Sequence, residues 1–570
     1  MKKTIILLLA STLICCKNFS QNTTNTSSEI IKKKKSISQE LKRNNHLNIK
    51  EQIALYKKLK KEEFPIYNFE NEDELTMYGY SYLWNKQPKE ALEVFLLIAE
   101  QFPNSSNAYD SLGEVYLELG DKEKSLFNYG KSLRMNPDNF NAEDQIERIK
   151  NPNKKMLSPS EKFAKIYSIK QYRDDLDELG KKLIQVHPNA LKFISKEKFW
   201  ELINRKKALI TNETTYGNFI WHCNEIIASI NCSHTSLGSF RQESIMLGKS
   251  LILPLQTRWV NNKLFVIDAM NNTNDIKIKD EITSINNVPV STIVNNIYNH
   301  IQSQGYVKTA KKIFFNSWST EMIPYELGFP KSYTIKIKGK ALPITLKKAT
   351  KFMAPYEDRS IKKCKNDLCI DFLEDTKTAV LTISSFNYYP WNNFDVFEEF
   401  IQNSFKEINK KGIENIVLDL RFNGGGSPEA SIYLLKYLAD KPFTYFSKSK
   451  HIIDPTIKHQ FKGKMYFIID GHGESTTGHF MSKVKELKLG TIIGEELGSN
   501  HFCTAGQSIL RLKNTKLIYN VANTTSHTFT KVVADETGIL PDIFVTQPID
   551  DYLNNIDTVK EYTLGLITNK

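Results

Sequence analysis

The sequence lacks the spacings that mark many metal sites, because it contains neither a CxxC nor an HExxH pattern. Metal ligation is therefore not expected, and no cofactor is implied. It also lacks a nucleic-acid-binding motif, so a nucleic acid is not an expected partner. Beyond the first residues, no apolar run reaches the length that spans a bilayer.

The start of the chain is predicted to direct export. Two lysines precede Ile5–Ile14, an apolar run of about ten residues that is too short to cross a membrane. This pattern is typical of a secretory signal peptide, which we place at residues 1–21. The mature protein is expected in the periplasm or outside the cell. Cys15 and Cys16 leave a lipoprotein open, and membrane association is expected only if one of them is lipidated.

Export permits disulfides, and five cysteines remain after the predicted cleavage. Cys364 and Cys369 are close enough for a small loop, and a Cys223–Cys232 pair is a second option. With Cys503 the number is odd, so at least one thiol stays unpaired within the chain.

The chain carries a formal net charge of +13 at pH 7. Part of this excess lies in Lys32–Lys35, within a polar stretch over residues 22–50. We interpret that stretch as a solvated basic linker. Adhesion to anionic lipid or glycan is the alternative.

Residues 72–139 show self-similarity with a period of 34 residues. Gly79 recurs as Gly113. Phe95 recurs as Tyr129, and a proline ends each unit. Each unit is predicted to be two helices that approach at the small residue, and the pattern resembles tetratricopeptide repeats. Two functions stay open for them: a groove that docks a peptide or partner protein, and a spacer.

The stretch over residues 250–350 is predicted to be β-rich. Within it, Ile276–Val290 resembles the strand and turn "GDxIxxINGxPV" of PDZ-like domains. Lys279 replaces the usual first glycine. Asn287 stands where the second glycine is usual, and asparagine tolerates positive φ there.

From residue 376 onward, predicted strands and helices alternate. This order implies crossover connections and a mostly parallel sheet with helices over it. The predicted elements are strands over 378–384, 415–420, 465–469 and 491–494 and helices over 394–409, 429–438 and 475–487.

Ser475 lies where an apolar strand pattern ends and a helical pattern begins. At such a turn the hydroxyl lies at the top of a sheet, at the positive end of a helix. An alkoxide or acyl oxyanion is stabilised there. By itself the segment is compatible with a nucleophile or with a simple N-cap.

Further motifs favour the nucleophile. Val417–Gly426 (VLDLRFNGGG) resembles the "LDLRxNGGG" signature of the C-terminal-processing and tricorn-type serine peptidases. With it come the turn at Ser475, Gly494–Glu496, and Gly538–Asp542, which resembles the family's "GxxPD" ending. The resemblance covers roughly residues 160–550. It implies a crotonase-like α/β core with a helical N-terminal part and a PDZ-like insertion, acting on protein or peptide substrates.

The glycine triplet suits an oxyanion hole. Glycines let the backbone approach a ligand and turn N–H groups toward it. Such donors stabilise the tetrahedral intermediate of acyl transfer. The resemblance implies that the donors are the N–H groups of Gly424 or Gly425 and of Thr476. Asp419 and Arg421 are expected to hold the loop.

A serine needs a neighbouring base to become nucleophilic. The C-terminal-processing branch uses a lysine in a "GxxTxGK" stretch, but Asn500 stands at that position here. The tricorn-type branch uses a histidine from the helical part, and Ser233-His234 resembles its site. We therefore predict His234 as the base, with Ser233 in its network. His472 and His479 are competitors close to the serine.

The tricorn-type branch also carries a late acidic residue that helps to orient the histidine or its network. Glu536 best fits that position, and Asp535 is the fallback. His501 is predicted to line the cleft and to contact substrate.

The predicted fold is multidomain α and α/β: tetratricopeptide helical repeats, then a crotonase-like α/β peptidase core with a helical N-terminal part and a PDZ-like β insertion.

The predicted function is a secreted serine peptidase. One rival is a binding protein on the same fold, with Phe386–Phe394 lining its cleft, and another is a scaffold that works through its repeats. The predicted domains are a signal peptide over 1–21, a basic polar linker over 22–50, repeats with flanking helices over 51–150, the helical part over 155–245, the PDZ-like domain over 250–350 and the α/β core over 351–560.

Overall fold

The computed structural model describes residues 34–155, 157–237, 247–350, 361, 364, 367–390, 393–449, 451–528 and 530–568. The predicted signal peptide, with Cys15 and Cys16, lies outside these residues. No helix in the described ranges is long and apolar enough to cross a membrane. The chain divides into two compact units, namely Met1–Met156 with Tyr389–Asp395, and Leu157–Tyr388 with Val396–Lys570.

The first unit is mainly helical. A short strand, β1 (Lys35–Ser36), pairs in parallel with β2 (Tyr67–Asn68). The helices are α1 (Ile37–Arg43), α2 (Ile49–Glu62), α3 (Glu72–Trp84), α4 (Pro88–Gln101), α5 (Ser106–Glu118), α6 (Lys122–Met135) and α7 (Phe140–Lys150).

Glycines set the close approach of the paired helices α3–α4 and α5–α6. A Cβ on Gly79 would lie 2.6 Å from the ring of Phe95, which is fully buried. A Cβ on Gly113 would lie 2.7 Å from the ring of Tyr129. Any larger residue would therefore push each pair apart. The helices follow the 34-residue spacing, while their assignment to tetratricopeptide repeats stays a prediction.

Residues 34–50 correct the prediction of a solvated linker over 22–50. Ile37 and Leu41 of α1 are buried. Glu74 of α3 accepts hydrogen bonds from Ser36 Oγ at 2.5 Å and from the Ser38 N–H at 2.7 Å. The two apolar residues, four apart in a polar run, are a weak signal in sequence. Their partners come from distant helices.

The second unit begins with helices that pack on a shared apolar core. Its buried residues include Leu176, Leu179 and Leu183, together with Phe199 and Phe219. The elements are α8 (Pro159–Ala164), α9 (Ile169–Val186), α10 (Lys196–Ala208), α11 (Tyr216–Ala228) and a short strand, β3 (Ser236–Leu237).

An antiparallel sheet in the order β4-β5-β6-β8-β9, with β7 on β6, follows. Lys279 has φ 74° and Asn287 has φ 64°, so both positions where PDZ-like turns use glycine are left-handed here. The name PDZ-like stays a prediction. The elements are β4 (Gln256–Val260), β5 (Lys263–Asp268), β6 (Glu281–Ile285), β7 (Val288–Pro289), α12 (Val290–Tyr298), α13 (Lys308–Glu326), β8 (Thr334–Ile337) and β9 (Ile344–Thr345).

The C-terminal part is an α/β domain whose central sheet has the order β10-β11-β12-β15-β16-β21. β10 is antiparallel to β11, and the other neighbours are parallel. The strands of this sheet are β10 (Leu368–Leu373), β11 (Thr378–Ile383), β12 (Asn415–Asp419), β15 (Lys464–Ile469), β16 (Thr491–Gly494) and β21 (Ile543–Phe544).

Five helices and three small sheets complete the described part of this domain. The helices are α14 (Phe394–Lys410), α15 (Pro428–Leu438), α16 (Thr476–Leu487), α17 (Ile549–Leu553) and α18 (Thr558–Thr568). The small sheets are β13 (Phe443–Thr444) with β14 (Ile452–Ile453), β17 (Phe502–Ala505) with β20 (Thr524–His527), and β18 (Ser508–Arg511) with β19 (Ile518–Val521) and β3.

The structure shows which of the two possible disulfides forms. Cys364 and Cys369 form a disulfide. Cys223, Cys232 and Cys503 are buried and form no disulfide with one another or with any other described residue. The alternative pair of Cys223 with Cys232 is therefore wrong.

Arg421 ties the end of β12 to the C-terminal helix α18. Its Nη2 lies 2.6 Å from Asp419 Oδ2, and its two terminal nitrogens each lie 2.7 Å from an oxygen of Asp557. The Arg421 side chain is 4% exposed. Asp557 also accepts a hydrogen bond from the Lys560 N–H at the start of α18. Arg421 therefore links Asp419 to Asp557 of the segment before α18, while the predicted role of Asp419 and Arg421 in holding the glycine loop stays a prediction.

Replacing Arg421 with alanine is expected to lower the free energy of unfolding by about 3 to 5 kcal/mol, because two carboxylates would be left buried without their cation. Urea unfolding measures this change. Lys377→Ala is the matched control, since it removes an exposed pair with Glu414 and should cost less than about 1 kcal/mol. Equal losses in the two variants would contradict the role of Arg421.

Candidate active site

Ser475 occupies a strained turn between β15 and α16. Its φ of 53° and ψ of −121° lie in a region that non-glycine residues rarely adopt. Its side chain makes no capping hydrogen bond to the helix. Ser475 therefore occupies the N-cap position of α16, but its hydroxyl does not cap the helix.

The glycine loop after β12 packs directly on this turn. A Cβ on Gly425 would lie 2.8 Å from Ser475 Cβ and 2.9 Å from Thr476 N. The Gly425 N–H already donates to Asn423 Oδ1 at 3.0 Å. A Cβ on Gly424 would meet nothing within 4 Å, so this residue faces open space. The Gly425 N–H thus already has an acceptor, and the choice between Gly424 and Gly425 as the partner of the Thr476 N–H stays a prediction.

Asn423 holds the glycine loop and the serine turn together. It is fully buried, and its Oδ1 accepts hydrogen bonds from the Gly425 N–H and, at 2.8 Å, from Thr477 Oγ1. Its Nδ2 donates to the Ile383 carbonyl at the end of β11 at 3.0 Å. Its own carbonyl accepts from the Glu474 N–H at 3.2 Å. One side chain therefore sets the spacing of the proposed oxyanion donors.

Replacing Asn423 with alanine is expected to lower kcat about 100-fold with little change in KM, because the donors lose their fixed geometry. Steady-state peptide hydrolysis measures both constants. Asn415→Ala is the control. It removes an amide that bonds the Thr376 carbonyl at the opposite end of β12. A kcat within twofold of wild type for Asn423→Ala would contradict this role.

The fold brings Ser233-His234 to the serine turn, with a thiol in contact with both. Cys503 Sγ lies 3.9 Å from Ser475 Oγ and 3.8 Å from His234 Nδ1. Ser233 Oγ lies 3.3 Å from the same ring nitrogen. The hydrogen bonds of the described residues do not include a direct one between His234 and Ser475. The predicted nucleophile and base thus share the Cys503 thiol as a neighbour.

The surroundings of His234 favour a neutral imidazole. Burial lowers the pKa of His234 to about 4, so the ring is unprotonated at neutral pH and able to accept a proton. The His234 carbonyl accepts a hydrogen bond from Gln507 Nε2 at 2.9 Å, which anchors the loop. Within the described ranges, no ion pair or hydrogen bond joins His234 to a carboxylate.

The hydrogen bonds and ion pairs of the described residues do not include one between Glu536 and His234. The Glu536 side chain is exposed. Its carbonyl accepts a hydrogen bond from the Tyr306 N–H at 2.8 Å. The role of Glu536 as an acidic partner therefore stays a prediction from the family pattern.

Asp535 and His501 form a separate charged group. His501 Nε2 lies 2.8 Å from Asp535 Oδ1, and Lys192 Nζ lies 2.5 Å from Asp535 Oδ2. Although burial raises it, the bond from Lys192 holds the pKa of Asp535 below its usual range. His501 is two residues before Cys503 on the rim of the site, and its contact with substrate stays a prediction.

Asn500 has a structural role at the position where the better-known branch carries lysine. It is fully buried. Its Nδ2 lies 3.1, 2.8 and 2.7 Å from the carbonyls of Ala534, Asp535 and Thr537. The amide therefore holds the segment that precedes the GxxPD-like motif and cannot accept a proton.

The competing histidines differ in their surroundings. His479 is 3% exposed, its ring lies near those of Tyr445 and Phe446, and burial lowers its pKa to about 3. His472 is partly exposed, and its Nδ1 lies 2.9 Å from Asp470 Oδ2. His472 is thus the stronger rival to His234, because a carboxylate orients its ring.

Sequence reasoning missed two groups at this site. Glu474 immediately precedes the serine, and burial raises its pKa to about 7. In the sequence, its position next to Ser475 could have marked Glu474 as a candidate site residue. Cys503 gave no such signal, because its role depends on contacts with two distant segments.

Comparisons with known proteins agree with this fold. A family model described as peptidase family S41 matches residues 377–545. No curated protein matches the chain.

Three solved structures are among those to which the chain is similar. A point mutant of CPAF has a TM-score of 0.50 and 14% identity, over 70% of this chain and 98% of its own. The photosystem II D1 C-terminal processing protease has a TM-score of 0.32 and 12% identity, over 68% of this chain and 98% of its own. The tricorn protease has a TM-score of 0.29 and 14% identity, over 70% of this chain and 37% of its own. Such likenesses concern the fold alone. The matched model identifies a peptidase family S41 domain over residues 377–545, in the C-terminal part of the chain.

Proposed function

We propose that the protein is an exported peptidase that cleaves protein or peptide substrates with Ser475 as nucleophile and His234 as base. The observation that carries the proposal is the strained, uncapped Ser475 packed against the glycine loop. Export rests on the N-terminal sequence pattern, with lipidation at Cys15 or Cys16 as its alternative. The repeat region is proposed to dock a protein partner or to act as a spacer.

In the proposed reaction, the hydrogen-bond donors and acceptors of the site each have a defined role. Ser475 Oγ attacks the carbonyl carbon of the scissile bond, and His234 takes the hydroxyl proton. The carbonyl oxygen becomes an oxyanion, which the N–H groups of Gly424 and Thr476 stabilise. Collapse breaks the C–N bond, and the leaving amine takes the proton from His234. Water then repeats these steps on the acyl-enzyme and releases the acid.

The residues around His234 have supporting roles in this proposal. Ser233 Oγ, 3.3 Å from Nδ1, helps to orient the ring. Glu536 is proposed as the acidic partner from the family pattern alone. No metal or other cofactor enters the proposed steps.

The rival of a ligand-binding protein finds little support in the aromatic stretch Phe386–Phe394. Phe386 is fully buried, and Tyr388 and Phe394 are 8% and 6% exposed. These side chains belong to the interior and offer little surface to an apolar ligand.

Labelling with a fluorophosphonate tests the proposal. We expect one covalent adduct, which peptide mass spectrometry locates at Ser475. Prior heat denaturation should abolish it, because the strained turn and the oxyanion donors exist only in the folded protein. An intact, folded protein that acquires no adduct at Ser475 would contradict the proposed function and favour the binding rival.

A further inference from the structure

One buried thiol touches both groups that the proposed reaction needs. Cys503 lies within β17, whose register places it opposite Ser526 of β20. The residue is 1% exposed. Its Sγ contacts Ser475 Oγ at 3.9 Å and His234 Nδ1 at 3.8 Å. The sheet therefore fixes the thiol beside both the nucleophile and the base.

We propose that Cys503 is a positioning residue of this site, which sets the separation of Ser475 from His234 and keeps water away from His234 Nδ1. The inference rests on the proposed function and adds a thiol to its machinery. It also implies that a reagent that modifies thiols inactivates this serine peptidase.

The surroundings of His234 supply the reason. In most such sites a carboxylate orients the histidine, but none contacts His234 within the described part of the chain. The groups at its Nδ1 are the Ser233 hydroxyl and the Cys503 thiol. Sulfur is large and forms only weak hydrogen bonds. It therefore fills the space without competing strongly for the Ser475 proton, whereas a water there would bind both groups.

Two substitutions test the positioning role. Cys503→Ala is expected to lower kcat roughly 10- to 100-fold with little change in KM, because Ser475 and His234 lose their fixed separation. Cys503→Ser keeps a small polar group and should lose less. His234 is half-buried, and in Cys503→Ala more water reaches its ring and reduces the desolvation that lowers its pKa. The acid limb of kcat/KM should therefore move to higher pH.

A buried thiol remote in sequence from the serine turn provides the matched control. Cys223 lies in α11 and is fully buried. Cys223→Ala creates a similar cavity, so it controls for a general loss of packing. Its pH profile should match that of wild type. Thermal unfolding checks that each variant is folded before its kinetics are compared.

Chemical modification tests the same contact in the unaltered chain. Methyl methanethiosulfonate converts a thiol to a methyl disulfide: a new S–S bond forms, the reagent's own S–S bond breaks, and methanesulfinate leaves with the thiol proton. We expect the treated wild type to lose fluorophosphonate labelling at Ser475 and to regain it after dithiothreitol. Cys223→Ala should behave like wild type, whereas Cys503→Ala should be insensitive to the reagent.

The outcomes separate this inference from the proposed function. A wild-type kcat and pH profile in Cys503→Ala and Cys503→Ser, with labelling that thiol modification does not change, would overturn the role of Cys503 alone. If the unmodified wild type acquires no label at Ser475, the proposed function itself fails.

Discussion

Replacing Ser475 with alanine is expected to lower kcat by about 10⁴- to 10⁶-fold, because the variant has no hydroxyl with which to form the acyl-enzyme. The free energy of unfolding should change by less than about 0.5 kcal/mol, since the Ser475 side chain caps nothing in α16. Hydrolysis of a peptide library, read by mass spectrometry, measures the loss. Denaturant unfolding measures the stability.

Ser482→Ala is the matched control for this prediction. Ser482 lies on the same helix and is buried, and its Oγ donates to the Gly478 carbonyl at 2.6 Å. Its replacement removes the same hydroxyl oxygen as Ser475→Ala does but leaves the nucleophile in place. Hydrolysis should persist in Ser482→Ala. Undiminished hydrolysis in Ser475→Ala would remove Ser475 from the mechanism.

Replacing His234 with alanine is expected to lower kcat by about 10³- to 10⁴-fold, because no group then accepts the Ser475 proton. Fluorophosphonate labelling should slow in parallel, since it uses the same activated hydroxyl.

In wild type, kcat/KM measured as a function of pH should decrease as the pH falls through about 4. The neutral ring persists above its pKa of about 4 and is lost as the pH falls through that value.

Substitutions of two other histidines, His479 and His472, test whether His234 is the base. His479→Ala removes a buried ring that lies near Tyr445 and Phe446, and it should act on stability more than on kcat. His472→Ala removes a ring that Asp470 orients. We expect its kcat to fall by less than about 10-fold, consistent with a peripheral contact. A larger loss in His472→Ala than in His234→Ala would move the base to the Asp470–His472 pair.

Local patterns predicted the C-terminal elements well. The helix predicted over 394–409 is Phe394–Lys410, and the strand predicted over 415–420 is Asn415–Asp419. Apolar periodicity is a property of contiguous residues, and these segments bury their apolar faces in the expected sheet. The matched S41 family model supports the family resemblance that four short motifs carried.

Polar residues on buried elements were less predictable. From the sequence, the lysines that follow Ser475 on its helix, Lys483, Lys485 and Lys488, are predicted to form the solvated face of that helix. The Lys483 side chain, however, is 1% exposed and pairs with Glu486. The prediction is wrong because residues Thr476–Val484 are buried on every side of the helix. A single helix cannot show which of its faces other segments will cover.

The sequence by itself determined the strand–helix order, the turn at Ser475 and the glycine loop, because turn chemistry and periodicity are encoded within a few neighbouring residues. Only the tertiary structure decided what surrounds them. Cys503 lies 28 residues from Ser475 and 269 from His234 along the chain, yet its thiol touches both. The structure likewise left Glu536 exposed. Contacts between distant segments depend on how the sheets and helices pack, which local patterns do not specify.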